Sequence, residues 1–256
     1  MGKTVAIVNQ KGGVGKTTSA VNLAAAVGAK GYKVLLVDVD PQGNATSGLG
    51  INKRKLERSA YDLLINHVPA AQIITATAYP NVWLLPSSMS LAGAELELVD
   101  AEKRESRLKT ALAPIKDAFD FLFMDCPPSL GLITLNALVA ADTFLVPIQC
   151  EFYALEGLSQ LMSTVRQVKR LYNPLIEHEG VLFTMFDSRL NLTAQVVEEA
   201  KKFFPKKVYG TVIPRNVRLS EAPSFGKPVM YYDKGSKGSQ AYDAVADEFL
   251  SQNGKQ

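Results

Sequence analysis

Cysteine, histidine and tryptophan are scarce in these 256 residues: two, two and one respectively. Cys126 and Cys150 form no C-x-x-C pair, which excludes a disulfide framework and a four-cysteine zinc site. His67 and His178 stand far apart, outside any ligand-like spacing, and read as ordinary surface or core histidines. No segment approaches the ~18 consecutive apolar residues of a membrane span. The N-terminal apolar stretch 4–8 is too short for a signal peptide. Gly2 is followed by Lys-Thr-Val-Ala, without the Ser or Thr of a myristoylation site. A large charge of one sign is missing too, the net charge being +3. These absences point to a cytoplasmic chain with no membrane partner.

What is present fits a folded α/β chain. Apolar residues make up 47% and charged residues 21%, ordinary values for a chain that buries a core without staples. Short apolar runs at 5–8, 34–37, 82–85, 121–124, 144–146 and 181–183 read as strands. They are near-continuously apolar, as expected where helices cover both faces of a sheet. Helical stretches are expected at 17–30, 91–99, 105–118, 132–140, 155–171, 192–203 and 241–250. In the fifth, Leu155, Leu158, Leu161, Met162, Val165, Val168 and Leu171 recur at spacings of three and four, a core-facing stripe. The alternation predicts a mostly parallel sheet with helices on both faces. There is no internal repeat and no linker, so residues 1–256 are expected to form a single domain.

The first strand runs into Gln10-Lys11-Gly12-Gly13-Val14-Gly15-Lys16-Thr17-Thr18, and a helical stretch follows. Phosphate binding needs this order of parts. Glycines let backbone N–H groups converge, and a helix N-terminus adds its dipole. Lys16 supplies a positive charge for β- and γ-phosphates, and Thr17 a hydroxyl for Mg²⁺. Two acidic segments complete the set. Asp38 and Asp40 end the second strand, at the sheet edge where ligands of open α/β folds sit. Their spacing of two allows both to face the phosphates. Asp125 ends the apolar strand Phe121-Leu-Phe-Met, the Walker B arrangement, and is expected to hold Mg²⁺. Cys126 beside it reads as a packed small residue. Asn52-Lys53-Arg54-Lys55 fails the guanine motif N-K-x-D at its last position.

One departure from the ordinary Walker A loop is informative. Gln10 stands where its first glycine belongs, and Lys11 opens the loop. K-G-G-x-G-K-T resembles the deviant Walker A loop of the ParA/MinD superfamily, and Asp38-Val-Asp40-Pro-Gln-Gly-Asn44 resembles its switch segment. Leu91-Ala-Gly-Ala-Glu95, Asp125-Cys-Pro-Pro-Ser-Leu-Gly131, Gln149-Cys-Glu-Phe-Tyr-Ala-Leu-Glu-Gly157 and Val212-Ile-Pro-Arg-Asn-Val-Arg-Leu-Ser-Glu-Ala-Pro-Ser224 extend the likeness to the small ParA/Soj type. The resemblance implies an ATPase with ATP and Mg²⁺ as its cofactors. It assigns the catalytic residues Lys11, Lys16 and Asp40, with Lys11 reaching the partner's phosphates across a nucleotide-sandwich homodimer and Asp40 positioning the attacking water. ATP binding falls to Lys11, Gly12, Gly13, Val14, Gly15, Lys16, Thr17 and Thr18, with Pro214, Asn216 and Met185 around adenine. The metal is assigned to Thr17, Asp125 and, in support, Asp38.

The family further implies an ATP-bound dimer that binds double-stranded DNA without sequence preference, on the nucleoid, until a ParB-type centromere-binding protein stimulates hydrolysis. Charge distribution adds its own hint. From Arg189 to Lys237 ten basic residues face four acidic ones, a polyanion-facing pattern. Arg189 and Arg218 are the leading DNA contacts, followed by Lys201, Lys202 and Lys227; Arg215 is assigned to the dimer or the nucleotide. The alternatives are a MinD-like positioning ATPase on a membrane or scaffold, and a dethiobiotin-synthetase-like ligase. The C-terminal stretch lacks the Lys/Arg face of a membrane-seeking helix, and the early loop leaves no room for an N-terminal helix-turn-helix.

Overall fold

A computed structural model describes residues 2–151, 154–189, 191–205 and 207–255, without the side chains of 154–156 and 191–192. Phe152 and Tyr153 of the family-like stretch, the Leu155 and Leu192 side chains and Lys206 of the basic window therefore lie outside the described residues. The strands are β1 Lys3–Ile7, β2 Val34–Asp38, β3 Thr75–Ala76, β4 Val82–Leu85, β5 Phe121–Asp125, β6 Thr143–Gln149 and β7 Glu177–Thr184. They form one sheet in the order β3-β4-β2-β5-β1-β6-β7. Every pairing is parallel except that of edge strand β3 with β4.

Helices follow the strands: α1 Lys16–Ala29, α2 Asn44–Gly48, α3 Ala60–Leu64, α4 Leu91–Glu97, α5 Arg107–Leu112, α6 Leu132–Ala140, α7 Ala154–Leu171, α8 Asn191–Phe203, α9 Val217–Glu221, α10 Val229–Tyr232 and α11 Lys237–Gln252. Successive strand residues point to opposite faces, and here both faces are apolar. Leu35, Val37, Leu122 and Met124 enter one core with α5, α6 and α7. Val34, Leu36, Phe121 and Phe123 enter the other with α1 and α11. This two-sided cover is why the strands read as unbroken apolar runs.

Three expectations are corrected. The stretch 105–118 is not one helix: α5 ends at Leu112 and a 3₁₀ turn, Ala113–Ala118, continues. Pro114 lacks the N–H that an α-helix interior needs and its ring clashes with the preceding turn. Leu171 leaves the core-facing stripe of α7, being 58% exposed at the helix end, whereas Leu158, Leu161, Val165 and Val168 are buried. The last helix begins four residues earlier than expected, at Lys237, because the Ser236 hydroxyl caps it by accepting the Ser239 N–H.

Candidate functional site

The central order β2-β5-β1 is what assembles the site. Ile7 and Asp38 both pair in register with Asp125, so the segments after the three strands emerge side by side at the carboxyl edge. After β1, Gly15 takes a left-handed conformation (φ 85°) that turns the loop into α1. The Lys11 N–H donates to Asn9 Oδ1 at 3.0 Å, and Asn9 Nδ2 donates to the Pro147 carbonyl at 2.8 Å. The Thr184 hydroxyl donates to the Val14 carbonyl at 2.7 Å. The loop is thus tied to β6 and β7 from outside, and its N–H groups from Gly12 onward are left for a ligand.

A cavity of about 690 Å³ opens over this loop. Gly12, Gly13, Gly15, Lys16, Thr17 and Thr18 form its floor, Asp40, Gln42 and Asn44 one side, and Met185 with 213–217 another. The last segment reaches the cavity by pairing with the end of β7: Ile213 N donates to Phe183 O at 2.8 Å and Phe186 N to Ile213 O at 2.9 Å. Asn216 accepts the Arg218 N–H at 3.0 Å and so starts α9. Met185 sits at φ 48°, a conformation uncommon for a long side chain and frequent at ligand sites. Of the sequence-derived nucleotide residues, Lys11 and Val14 alone do not line the cavity.

The charged groups are unequal in setting. The Lys16 ammonium donates to the Lys11 carbonyl at 2.9 Å. Burial lowers its pKa, while Asp125 and Asp40 hold the charge in place. Asp125 is fully buried, and neither carboxyl oxygen has a hydrogen-bond partner among the described residues. Burial and the Asp38 carboxylate drive its pKa well above the usual range. The Thr17 hydroxyl and Lys16 pull it back, although the hydroxyl is not placed for a normal hydrogen bond. A buried carboxylate left without donors is costly, and a cation is the partner that such a group fits. The Thr17 hydroxyl, which lines the cavity floor, lies close enough to act on this carboxyl, while Asp125 itself does not line the cavity. Mg²⁺ needs no protein cage, taking one or two protein oxygens beside phosphates and water. Among the described residues no group of three or more His, Cys, Asp or Glu side chains is arranged for a metal.

Asp38 differs from Asp40. β2 ends at Asp38, the chain turns, and only Asp40 reaches the cavity. The Asp38 carboxylate instead accepts the Thr46 N–H at 2.8 Å, the Thr46 hydroxyl at 2.7 Å and the Asp40 N–H at 3.2 Å. Burial pushes its pKa up to about 6 against the pull of Thr46. The expectation that both acids face the phosphates therefore holds in geometry for Asp40 alone. Thr46 also accepts the Ser87 N–H at 2.9 Å. Gly43, at φ 60°, lets this turn close, since a Cβ there would stand 3.0 Å from the Ser87 carbonyl. Sequence reading missed Thr46 and Ser87. The only signal was the position of Thr46, two residues beyond the switch string.

Lys11 does not line its own nucleotide cavity and is ion-paired with Glu151. The DNA candidates are all exposed, and four are paired: Arg189 with Asp187, Arg218 with Glu221 and Asp233, Lys201 with Glu198, and Lys202 with Glu199. Arg189 holds the Asp187 carboxyl down to about 2. Lys227 has no ion-pair partner among the described residues. Asp187 lies just outside the counted basic window, which is why the count did not reveal the pairing. Among the described residues no helix is long and apolar enough to cross a membrane.

Comparison with known proteins places these features in a lineage. A family described as an AAA domain matches residues 2–178. The chain is 57% identical over 248 residues to the sporulation initiation inhibitor protein Soj of Bacillus subtilis (strain 168), covering 97% of this chain and 98% of that protein. It is 47% identical over 255 residues to the chromosome-partitioning ATPase Soj of Treponema pallidum (strain Nichols), covering 100% of both. Among solved structures, a Mycobacterium smegmatis protein named cobyrinic acid a,c-diamide synthase, with bound ATP analog and magnesium, superimposes with a TM-score of 0.87. It is 37% identical, with 98% of this chain and 94% of that one covered. Loop, acids, sheet order and full-length likeness agree: the chain belongs to the Soj/ParA family of chromosome-partitioning ATPases.

Proposed function

We propose that the chain moves or positions DNA as an ATP-switched homodimer, and that its hydrolysis is completed only when two copies close on each other's nucleotide. The supporting observation is the placement of Lys11. It opens the phosphate loop yet is held by Glu151 outside its own cavity, so a lysine at this position serves a phosphate approaching from outside the chain.

In this reading the triphosphate lies over the N–H groups of 12–18, with Lys16 at the β- and γ-phosphates. The Thr17 hydroxyl and the orphaned Asp125 carboxylate hold the metal. Mg²⁺, when bound, neutralises charge growing on the phosphate oxygens. Asp40 orients a water at the open end of the cavity, and Asp38 acts from behind by fixing the Asp40 backbone and Thr46. Pro214, Asn216 and Met185 enclose the adenine. Lys11 of one copy leaves Glu151 and adds a cation at the other copy's γ-phosphate, which makes turnover depend on dimerisation.

Arg218 sits on α9, whose residues Val217, Leu219 and Ser220 line the nucleotide cavity. A DNA contact there would sense the nucleotide directly. Arg189, Arg218, Lys201 and Lys202 sit in solvent-screened surface pairs that contribute little, so DNA phosphates can replace their acid partners. Two copies double the number of phosphate contacts, and affinity rises steeply with that number. A ParB-type protein on centromere-like sites stimulates hydrolysis and releases the dimer, in a cytoplasmic, nucleoid-associated cycle. A membrane track is disfavoured because α11 buries Tyr242, Val245, Ala246, Phe249 and Leu250 in the core.

Sedimentation velocity tests the dimer. With Mg-ATP the wild type should double in mass and with Mg-ADP it should not, while Lys11→Ala should bind ATP and stay monomeric. A mass independent of nucleotide, or a Lys11→Ala variant that dimerises and hydrolyses normally, would remove the mechanism.

A further inference from the structure

A second cavity, of about 590 Å³, lies between the turn after α3 and helix α5 and shares no lining residue with the nucleotide cavity. Its walls are largely apolar, with Val68 and Ile115 packed on the adjoining core. Its charged groups are Lys103 and Arg107 against Glu102, and His67 is also in its lining. Among the described residues neither Lys103 nor Arg107 has an acidic ion-pair partner.

Arg107 is the informative group. Its Nη1 donates to the Leu64 carbonyl at 3.0 Å, which fixes the guanidinium plane. Its Nε is buried with no hydrogen-bond partner among the described residues. Nε and Nη2 form the edge that receives a carboxylate side-on. The same molecule displays that geometry elsewhere: Arg189 Nε and Nη2 donate to the two oxygens of Asp187 at 2.9 and 2.6 Å. At Arg107 this edge is unused, at the expense of an unsatisfied buried donor. His67 and Lys103, which frame the cavity, both hold left-handed backbone (φ 54° and 49°), as does Met185 at the nucleotide cavity.

The geometry points to a second small-molecule site in this cavity, for a carboxylate carried on an apolar body, with the Nε/Nη2 edge of Arg107 receiving the carboxylate and Lys103 supporting its charge. The size lies within the range of ordinary ligand pockets. The free guanidinium edge selects a planar oxyanion, the apolar walls select what carries it, and the net positive charge disfavours a neutral analogue. This site is independent of how the nucleotide cavity is used.

The test uses the isotope-labelled full chain saturated with Mg-ADP, so that the nucleotide cavity is filled. Amide shifts are followed on titration with 3-phenylpropionate, with its neutral analogue 3-phenylpropan-1-ol, and with inorganic phosphate. The carboxylate should perturb residues 63–71 and 102–115 and bind at least tenfold more tightly than the alcohol or phosphate. Tenfold corresponds to about 1.4 kcal/mol, the lower end for a hydrogen bond to a charged group. Arg107→Met, which keeps the stem, should remove that preference. Thr110→Trp, which puts a bulky ring at a lining position, should abolish binding and carries the test if Arg107→Met is unstable. Equal affinity for carboxylate and alcohol, binding by phosphate alone, shifts confined to other surfaces, or full affinity in Thr110→Trp would each overturn the assignment.

Discussion

Replacing Thr46 by valine should damage this protein more than its near-identical shape suggests. Thr46 is fully buried, and valine fills the same volume. What changes is the hydroxyl, which donates to Asp38 Oδ2 at 2.7 Å and accepts the Ser87 N–H at 2.9 Å. Losing a hydrogen bond to a buried carboxylate costs about 1.5–3 kcal/mol, and leaving a buried N–H unpaired costs about 1–3 kcal/mol. The Thr46 N–H still reaches Asp38, so the loss stops short of an isolated buried charge. Together about 2.5–6 kcal/mol should disappear, which at roughly 2–4 °C per kcal/mol for a chain of this size lowers Tm by roughly 5–24 °C. Because the Asp40 N–H also rests on Asp38, ATP turnover should fall by more than nucleotide binding does. Thr46→Ser keeps the hydroxyl and should retain most of both properties. Calorimetry without nucleotide, followed by steady-state hydrolysis, checks this. A valine variant within 1 kcal/mol of wild type, or a serine variant as unstable as valine, would refute the reasoning.

Four further outcomes follow from the same geometry. Asp125→Asn should stabilise the metal-free protein near neutral pH while abolishing Mg-dependent hydrolysis, since it removes a buried, donor-free charge. The pH profile has a defined sign. Asp38 and Asp125 both have pKa values raised on folding, Asp38 to about 6, so the folded state binds protons more tightly than the unfolded one. In chelator, wild-type stability should therefore fall as pH rises from the ordinary carboxylate range through about 6, measured by denaturant titration, and the Asp125→Asn variant should show a shallower fall. Glu151→Gln frees Lys11 from an ion pair whose partners are 33% and 45% exposed; at about 0–1 kcal/mol for each of the two such pairs a dimer releases, ATP-dependent dimerisation should tighten up to roughly thirtyfold in sedimentation equilibrium, and weaker dimers would contradict the parking role. Arg218→Glu should lower DNA affinity at least tenfold and keep the ATP-bound dimer, read by fluorescence anisotropy; unchanged affinity would put the DNA face elsewhere.

Much of the fold could be read from the chain because its central strands are covered on both faces. Runs such as Phe121-Leu-Phe-Met are unbroken apolar strings that few other structures explain. β3 escaped because a two-residue edge strand, Thr75–Ala76, has no periodicity. The short helices α2, α3, α9 and α10 have four or five residues, little more than one turn of a 3.6-residue repeat. The phosphate loop and Asp125 were legible as contiguous strings following strands. Thr46, Ser87 and Glu151 were not, since each matters through a partner distant in sequence: Ser87 meets Thr46 across 41 positions, and Glu151 meets Lys11 across 140. The pairing of Arg189 with Asp187 shows the limit of charge counting, which sums groups without asking which ones touch.

The central claim is that ATP, acting through a dimer, creates the DNA-binding form. Binding to a random-sequence duplex, with ATP, ADP or no nucleotide at two salt concentrations, tests it most directly. The account predicts binding with ATP alone, falling steeply with salt as several phosphate contacts require, and lost in Lys11→Ala. Equal binding in all three nucleotide states, or none in any, would contradict it.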